Sequence, residues 1–264
     1  MRRLRLQMMA GGSIPLDPDA QAFLTAAGIT NLTITTAINT LVLDLKSYGI
    51  WTKMKAIYPF VGGTASTHKF NLKDPQDSNL AFRLVFSGGW THSSTGALPN
   101  GTNAYADTFF IPNTHFNANT DIHISYYSGT NSIGGGRIDM GAIQGSPTRI
   151  VDLTSSFTTL GSFTELSGNT FLSFANTDSR GHYIGNRVGN EMRLVKDGVV
   201  QAQNLSSTPG GLPTISIRIG QRNNDYYSNR QCRLSSIGDG MSVAELSNYY
   251  TAVQAFQTTL GRQV

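Results

Sequence analysis

Residues 191–203, EMRLVKDGVVQAQ, decide the fold. Two short runs, RLVK and VVQAQ, flank the dipeptide Asp197-Gly198. A two-residue hairpin of type I′ needs positive φ at both central positions, which Asp and Gly tolerate better than most residues. The stretch therefore predicts two antiparallel strands joined by a tight turn.

Working outward, similar short runs recur from about residue 62, separated by Gly, Asn, Pro and Ser clusters. Candidate strands are 69–73, 80–86, 121–127, 137–143, 148–153, 171–174, 191–196, 199–203 and 215–219, and Arg230–Ser235 also has the texture of a strand. No ten-residue helical pattern lies between them, which argues against parallel βαβ units and for an antiparallel sandwich. Composition agrees. Charged residues make up 14% of the chain, against about 25% in a typical domain. The 28 glycines and abundant Ser, Thr and Asn suit a turn-rich β protein. They exclude a coiled coil, and the recurring apolar runs exclude charged disorder.

Helices are expected only at the two ends of this region. Asp17 caps a first helix with Pro18 at its first position and Gly28 beyond its end. Thr33 or Thr35 is the expected cap of a second helix, whose apolar face is Ile38, Leu41, Val42, Leu45 and Tyr48, with Gly49 as its stop. At the other end, Ser242-Val-Ala-Glu245 reads as a capping box opening a helix over 242–260. The expected organisation is an arm (1–16), a helical leader docked on the sandwich (17–61), and the sandwich with its final helix (62–264).

Three segments carry a resemblance: MRLVKDGVVQAQ (192–203), PTISIRIGQRNN (213–224) and CRLSSIGDGMSVAELSNYYTAVQAFQTTLGR (232–262). In this order they resemble the closing third of laminin-G-like, concanavalin A-type jelly rolls. The leader 17–63, with HKFNLKDP (68–75) and LVFSGGWTHSSTGALPNGTNAYADT (84–108), is similar to bacteriophage virion proteins that carry such domains in fibres, spikes or appendages. The resemblance implies a mainly β, antiparallel jelly-roll sandwich with two short N-terminal helices and a C-terminal helix. It further implies a structural protein on the surface of a phage particle, homo-oligomeric and contacting other virion subunits, with host-surface glycans as a ligand class. A decoration or collar subunit without ligand is the alternative.

The net charge of +4 comes largely from Arg2, Arg3 and Arg5. Alternating with Leu4 and Leu6, these form an arm expected to anchor the chain to another virion subunit. The remaining cations are scattered, whereas nucleic-acid grooves concentrate them among aromatics, so no nucleic-acid partner is expected. No stretch approaches eighteen apolar residues, so no membrane span is expected. The basic N-terminus also lacks the apolar run of a secretion signal. The single cysteine, Cys232, excludes an internal disulfide and reads as a buried thiol.

Catalysis is not expected. The sandwich glucanases place carboxylates as Glu-x-Asp-x-x-Glu on one strand because nucleophile and acid must face each other. Here the only glutamates, Glu165, Glu191 and Glu245, read as isolated. A polysaccharide depolymerase would have to use aspartates such as Asp178 or Asp225. The histidines show no metal-binding spacing, no Gly-x-Ser-x-Gly elbow occurs, and Gly134-Gly135-Gly136 precedes a strand rather than a helix. Two loops have the aromatic and amide composition of a sugar-binding rim. One carries Trp90 and His92; the other carries Asn223, Asp225, Tyr226, Tyr227 and Asn229. Asn223 and Asp225 supply two oxygens where Ca²⁺ takes six to eight, so no cofactor is expected.

Overall fold

The computed structural model describes residues 15–158, 161–167, 171–223 and 225–264. Arg2, Arg3, Leu4, Arg5 and Leu6, the anchoring arm, lie outside the described residues. The first strands are β1 (Met54–Tyr58), β2 (Val85–Ser87), β3 (Trp90–Ser93), β4 (Gly96–Pro99) and β5 (Tyr105–Asp107). Then come β6 (Asp121–Ser128), β7 (Met140–Gln144), β8 (Arg149–Phe157), β9 (Gly161–Leu166) and β10 (Phe171–Phe174). The last are β11 (Gly181–Val188), β12 (Glu191–Lys196), β13 (Val199–Asn204), β14 (Arg218–Ile219) and β15 (Cys232–Gly238). Helices α1 (Pro18–Ala27) and α2 (Leu32–Ser47) lead, the one-turn helices α3 (Ala65–His68) and α4 (Pro112–His115) interrupt, and α5 (Val243–Thr259) closes the chain.

The strands form two antiparallel sheets. Sheet one runs β13-β12-β11-β6-β15-β4-β3 with β1 also on β15, and sheet two runs β10-β9-β8-β7-β14-β5-β2. Side chains alternate between the faces of a strand, and β6 shows the consequence. Ile122, Ile124 and Tyr126 enter the core between the sheets, beside Met140, Val151 and Leu153 of sheet two. Tyr127 faces the other way, into a second core with Ile184, Val195 and Leu234. That second core is closed by the helices, through Ile38, Leu41 and Leu45 of α2 and Leu246, Val253 and Phe256 of α5. Each such burial is worth roughly 1.5–3 kcal/mol. The described residues thus form three layers, helices on sheet one on sheet two.

Local chemistry fixes the ends of the elements. Asp197 and Gly198 have φ of 51° and 77°, the type I′ pattern, and the hairpin β12–β13 forms as read. A Cβ on Gly198 would lie 2.8 Å from the Tyr250 ring, so the turn also docks on α5. The Ser242–Glu245 capping box is present in both directions.

Several sequence expectations fail for physical reasons. Helix α2 is capped by Asn31, whose side chain takes the Ile34 N–H, rather than by Thr33 or Thr35, which lie inside it. Residues 69–73 form no strand. The Asn71 side chain takes the Ile57 and Lys73 N–H groups and donates to Lys55 and Ala81 carbonyls, leaving one isolated bridge to Asp74. Of 80–86 only Val85 and Phe86 are in a strand, because Ser78 caps a 3-10 turn over Asn79–Ala81 and Phe82 is left-handed. Of 215–219 only Arg218 and Ile219 pair.

Candidate functional site

Sheet one has two ends. At one, Ser128 of β6 meets Gly181 and Cys232; at the other, Asp121 meets Val188 and His123 meets Gly238. Both loops expected to bind sugar lie together at the Ser128 end. A Cβ on Gly220 would be 3.1 Å from the Trp90 indole, and one on Gly101 would be 3.1 Å from Asn229.

This end is held by a buried ion pair. Arg230 and Asp139 are fully buried and 3.0 Å apart. Asp139 also accepts from Ser228 Oγ at 2.7 Å and from Ser155 N and Oγ at 2.7 and 2.6 Å. Arg230 donates to the Ser132 and Ser156 carbonyls at 2.8 and 2.6 Å. Arg230, which the sequence places at the start of a strand-like run, is the pin of the loop cluster.

On this base the segment 221–229 presents its side chains. Tyr226 has a φ of 53° and remains 40% exposed. Its ring stands edge-on to Phe157 at 5.4 Å, with the Arg222 guanidinium 5.1 Å from its centroid. A left-handed tyrosine stores backbone strain, which folds retain mostly at functional loops. The Asp225 carboxylate is 3.8 Å from Arg222 Nε. Tyr227 is half-buried and bridges Ile138, and Asn229 accepts from Ser132 Oγ at 2.9 Å. Asn223, also left-handed, spends its amide on the Ile143 carbonyl at 2.8 Å and so staples the loop to sheet two. Tyr226 and Asp225 therefore form one presented surface, with Asn223 and Tyr227 supporting it, while Asn229 lies half-buried further along the segment.

Trp90 and His92 are used internally. The indole N–H donates to the Ser87 and Tyr105 carbonyls, both at 3.1 Å, and the ring packs edge-on to Phe86. His92 Nδ1 is 2.9 Å from His68 Nδ1. Burial pushes the His68 pKa down to about 3 and also lowers that of His92, so this contact is a neutral hydrogen bond.

Beneath the 221–226 loop lies a group that sequence spacing did not reveal. Val151 and Leu153 enter the core, which puts Asp152 on the outer face of sheet two, directly across from Glu165 on β9 and Gly141 on β7. Glu165, expected to stand alone, thus has a carboxylate neighbour. Arg222 Nη1 reaches Asp152 Oδ2 at 2.8 Å, while Asp152 Oδ1 has no hydrogen-bond partner. Burial raises the Asp152 pKa to about 6 against the pull of Arg222; burial and the Asp152 charge raise Glu165 to about 7.

Asp178 differs: hydrogen bonds from Arg180 hold its pKa at about 2, against a small opposing effect of burial. Cys232 is fully buried, and burial pushes its thiol pKa well up. Among the described residues no group of three or more His, Cys, Asp or Glu is placed to hold a metal ion, and no helix is long and apolar enough to cross a membrane.

No family model matches the chain, and no curated protein does. Solved structures do. Domain 4 of AbnA, a GH43 extracellular arabinanase from Geobacillus stearothermophilus crystallised with arabinotriose, superposes with a TM-score of 0.55 at 10% identity, covering 75% of this chain and 98% of that one. Trypanosoma rangeli sialidase in complex with the inhibitor DANA gives a TM-score of 0.46 at 12% identity over 64% of this chain, which spans 28% of the sialidase. The likeness to the arabinanase domain identifies the fold as an antiparallel β-sandwich.

Proposed function

We propose that this chain is a non-catalytic, glycan-binding β-sandwich of a phage virion, displayed on a fibre, spike or other appendage. The observation that carries the reading is Tyr226, held exposed on strained backbone between Phe157 and Arg222, with Asp225 beside it and Asn229 three residues further along the segment. An aromatic face covers the apolar side of a sugar ring, and flanking carboxylate and amide groups take its hydroxyls. The arabinanase domain of the same fold, crystallised with arabinotriose, is a precedent for a sandwich that meets a saccharide. The virion assignment is supported by the sequence resemblance, and the Arg/Leu arm would dock the chain, as a homo-oligomer, on another virion subunit.

On a glycan array the intact protein should give a signal that Tyr226→Ala lowers without changing the melting temperature. No signal on any glycan would instead favour a purely architectural decoration or collar subunit. Deleting residues 2–12 should abolish incorporation into particles and leave the sandwich folded; unchanged incorporation would remove the anchoring role.

Among the described residues the Asp152–Glu165 pair is the feature that favours a depolymerase, since a raised acid beside a second carboxylate is the apparatus of glycoside hydrolysis. Asp152 is fully buried and bound to Arg222, so no glycosidic bond can reach it with the loop in place. Binding is the better reading.

A further inference from the structure

A cavity of about 500 Å³ opens at the Asp121 end of sheet one, opposite the Tyr226 loop. It lies where β6 begins, β11 turns into β12 and the chain enters α5. That volume falls in the roughly 300–1,000 Å³ range of small-ligand sites.

Its floor is built by close backbone approach. The Gly240 N–H donates to Asp121 Oδ1 at 2.6 Å, and a Cβ on Gly240 would lie 2.2 Å from the Arg187 carbonyl and 2.8 Å from Val188 Cγ2. Lys53 closes one side, donating to the Gly240 carbonyl and to Glu245 Oε2, both at 2.9 Å. Glu245 Oε2 also takes the Ser242 N–H at 2.7 Å. These bonds preorganise the wall and leave the second oxygens of Asp121 and Glu245 for other donors.

The remaining wall offers donors and acceptors together. Arg193, whose side chain is 9% exposed, spends Nη2 on Glu191 Oε2 at 2.6 Å, and its Nε has no hydrogen-bond partner. Glu191, by contrast, is solvent-facing, and Oε1 of its carboxylate is not engaged by Arg193. Apolar surface comes from Val188 and Val243, both exposed, and from buried Met241.

We propose that this cavity is a second saccharide site, taking one uncharged sugar unit. A polyol both donates to carboxylates and accepts from a guanidinium while laying aliphatic C–H groups on valines. The lining carries three carboxylates, of Asp121, Glu191 and Glu245, against the cations of Lys53 and Arg193. The net negative charge turns away sialic and uronic acids and admits neutral hexoses and N-acetylhexosamines. The proposal rests on the glycan-binding reading but at a different place, so the chain would engage glycan at both ends of the sandwich.

The test is saturation-transfer NMR on the full chain with the methyl glycosides of glucose, galactose and N-acetylglucosamine, and with sialic and glucuronic acids as anionic controls. Val243→Trp places an indole over the cavity from an exposed position, and Glu191→Gln removes one acceptor charge. At least one neutral glycoside should bind and lose roughly tenfold in affinity with Val243→Trp, lose affinity with Glu191→Gln, and be retained by Tyr226→Ala. Val243→Trp should keep the wild-type urea midpoint, and Glu191→Gln, which retains an amide oxygen for Arg193 but not the charge, should lower it without unfolding the protein. Absence of any neutral signal, or binding untouched by both cavity variants, overturns the proposal. Binding lost only in Tyr226→Ala leaves the loop reading standing without the cavity, and binding lost only in the cavity variants does the reverse.

Discussion

Acid should unfold this protein through a histidine that has no role in binding. His182 on β11 is completely buried, stacked on Tyr127 at 6.0 Å and edge-on to Tyr249 at 5.1 Å, and neither ring nitrogen has a hydrogen-bond partner. Burial, aided by the charge of His123, pushes its pKa from 6.5 down to about 3. The unfolded chain therefore binds a proton near pH 6.5 that the folded chain refuses until about pH 3. Stability from this residue is intact above pH 6.5 and falls as the pH drops through that window. At about 1.4 kcal/mol per pH unit, the loss is about 3 kcal/mol at pH 4.5 and about 5 kcal/mol when complete. That is a large share of a typical folding free energy of roughly 5–15 kcal/mol. His182→Phe keeps an aromatic ring of similar size between the two tyrosines and removes the titration. Urea unfolding at pH 7.0, 5.5 and 4.5 should show the variant no less stable at pH 7, with its advantage growing by about 3 kcal/mol at pH 4.5. A gap that does not change with pH would refute the reasoning.

Three further outcomes follow from the same structure. Asp139→Ala leaves Arg230 charged, buried and unpaired, and should cost about 3–5 kcal/mol in chemical denaturation; a loss below about 1 kcal/mol would deny the pinning role. Ser242→Ala removes one side of the α5 capping box and should cost about 1 kcal/mol in urea unfolding. For Asp152 and Glu165 the direction is opposite to that of the histidine, since their folded pKa values of about 6 and 7 are raised. Their stabilising contribution is present at lower pH and lost as the pH rises through 6–7, so Asp152→Asn should gain on wild type between pH 5 and pH 8. A wild-type advantage that grows with pH would contradict this.

The parts of the fold legible in the sequence are those fixed by local chemistry. The Asp197-Gly198 turn, the Asp17-Pro18 helix start and the Ser242–Glu245 box each act within four residues, and each formed. Strand β11, GHYIGNRV, is not legible as a strand because Asn186 and Arg187 find most of their hydrogen bonds on distant groups. Arg187, fully buried, donates to the Leu166 and Ser207 carbonyls, and Asn186 exchanges hydrogen bonds with Met241. Leu80 shows the reverse: an apolar residue left 92% exposed because the local 3-10 turn prevails over strand propensity. The candidate site was half legible. Composition points to the loop holding Tyr226 and Asp225, but it does not reveal that the Trp90 N–H is consumed by two carbonyls. Asp152 and Glu165 meet only through the β8–β9 register, and the cavity gathers residues from β6, β11, β12 and α5, so neither leaves a sequence motif.

The most direct test of the central claim is residue-resolved NMR of the intact chain titrated with the strongest glycan found on the array. The account predicts shifts in Arg222, Asp225, Tyr226 and Asn229, lost in Tyr226→Ala. A bound glycan that leaves these four resonances unmoved would contradict it.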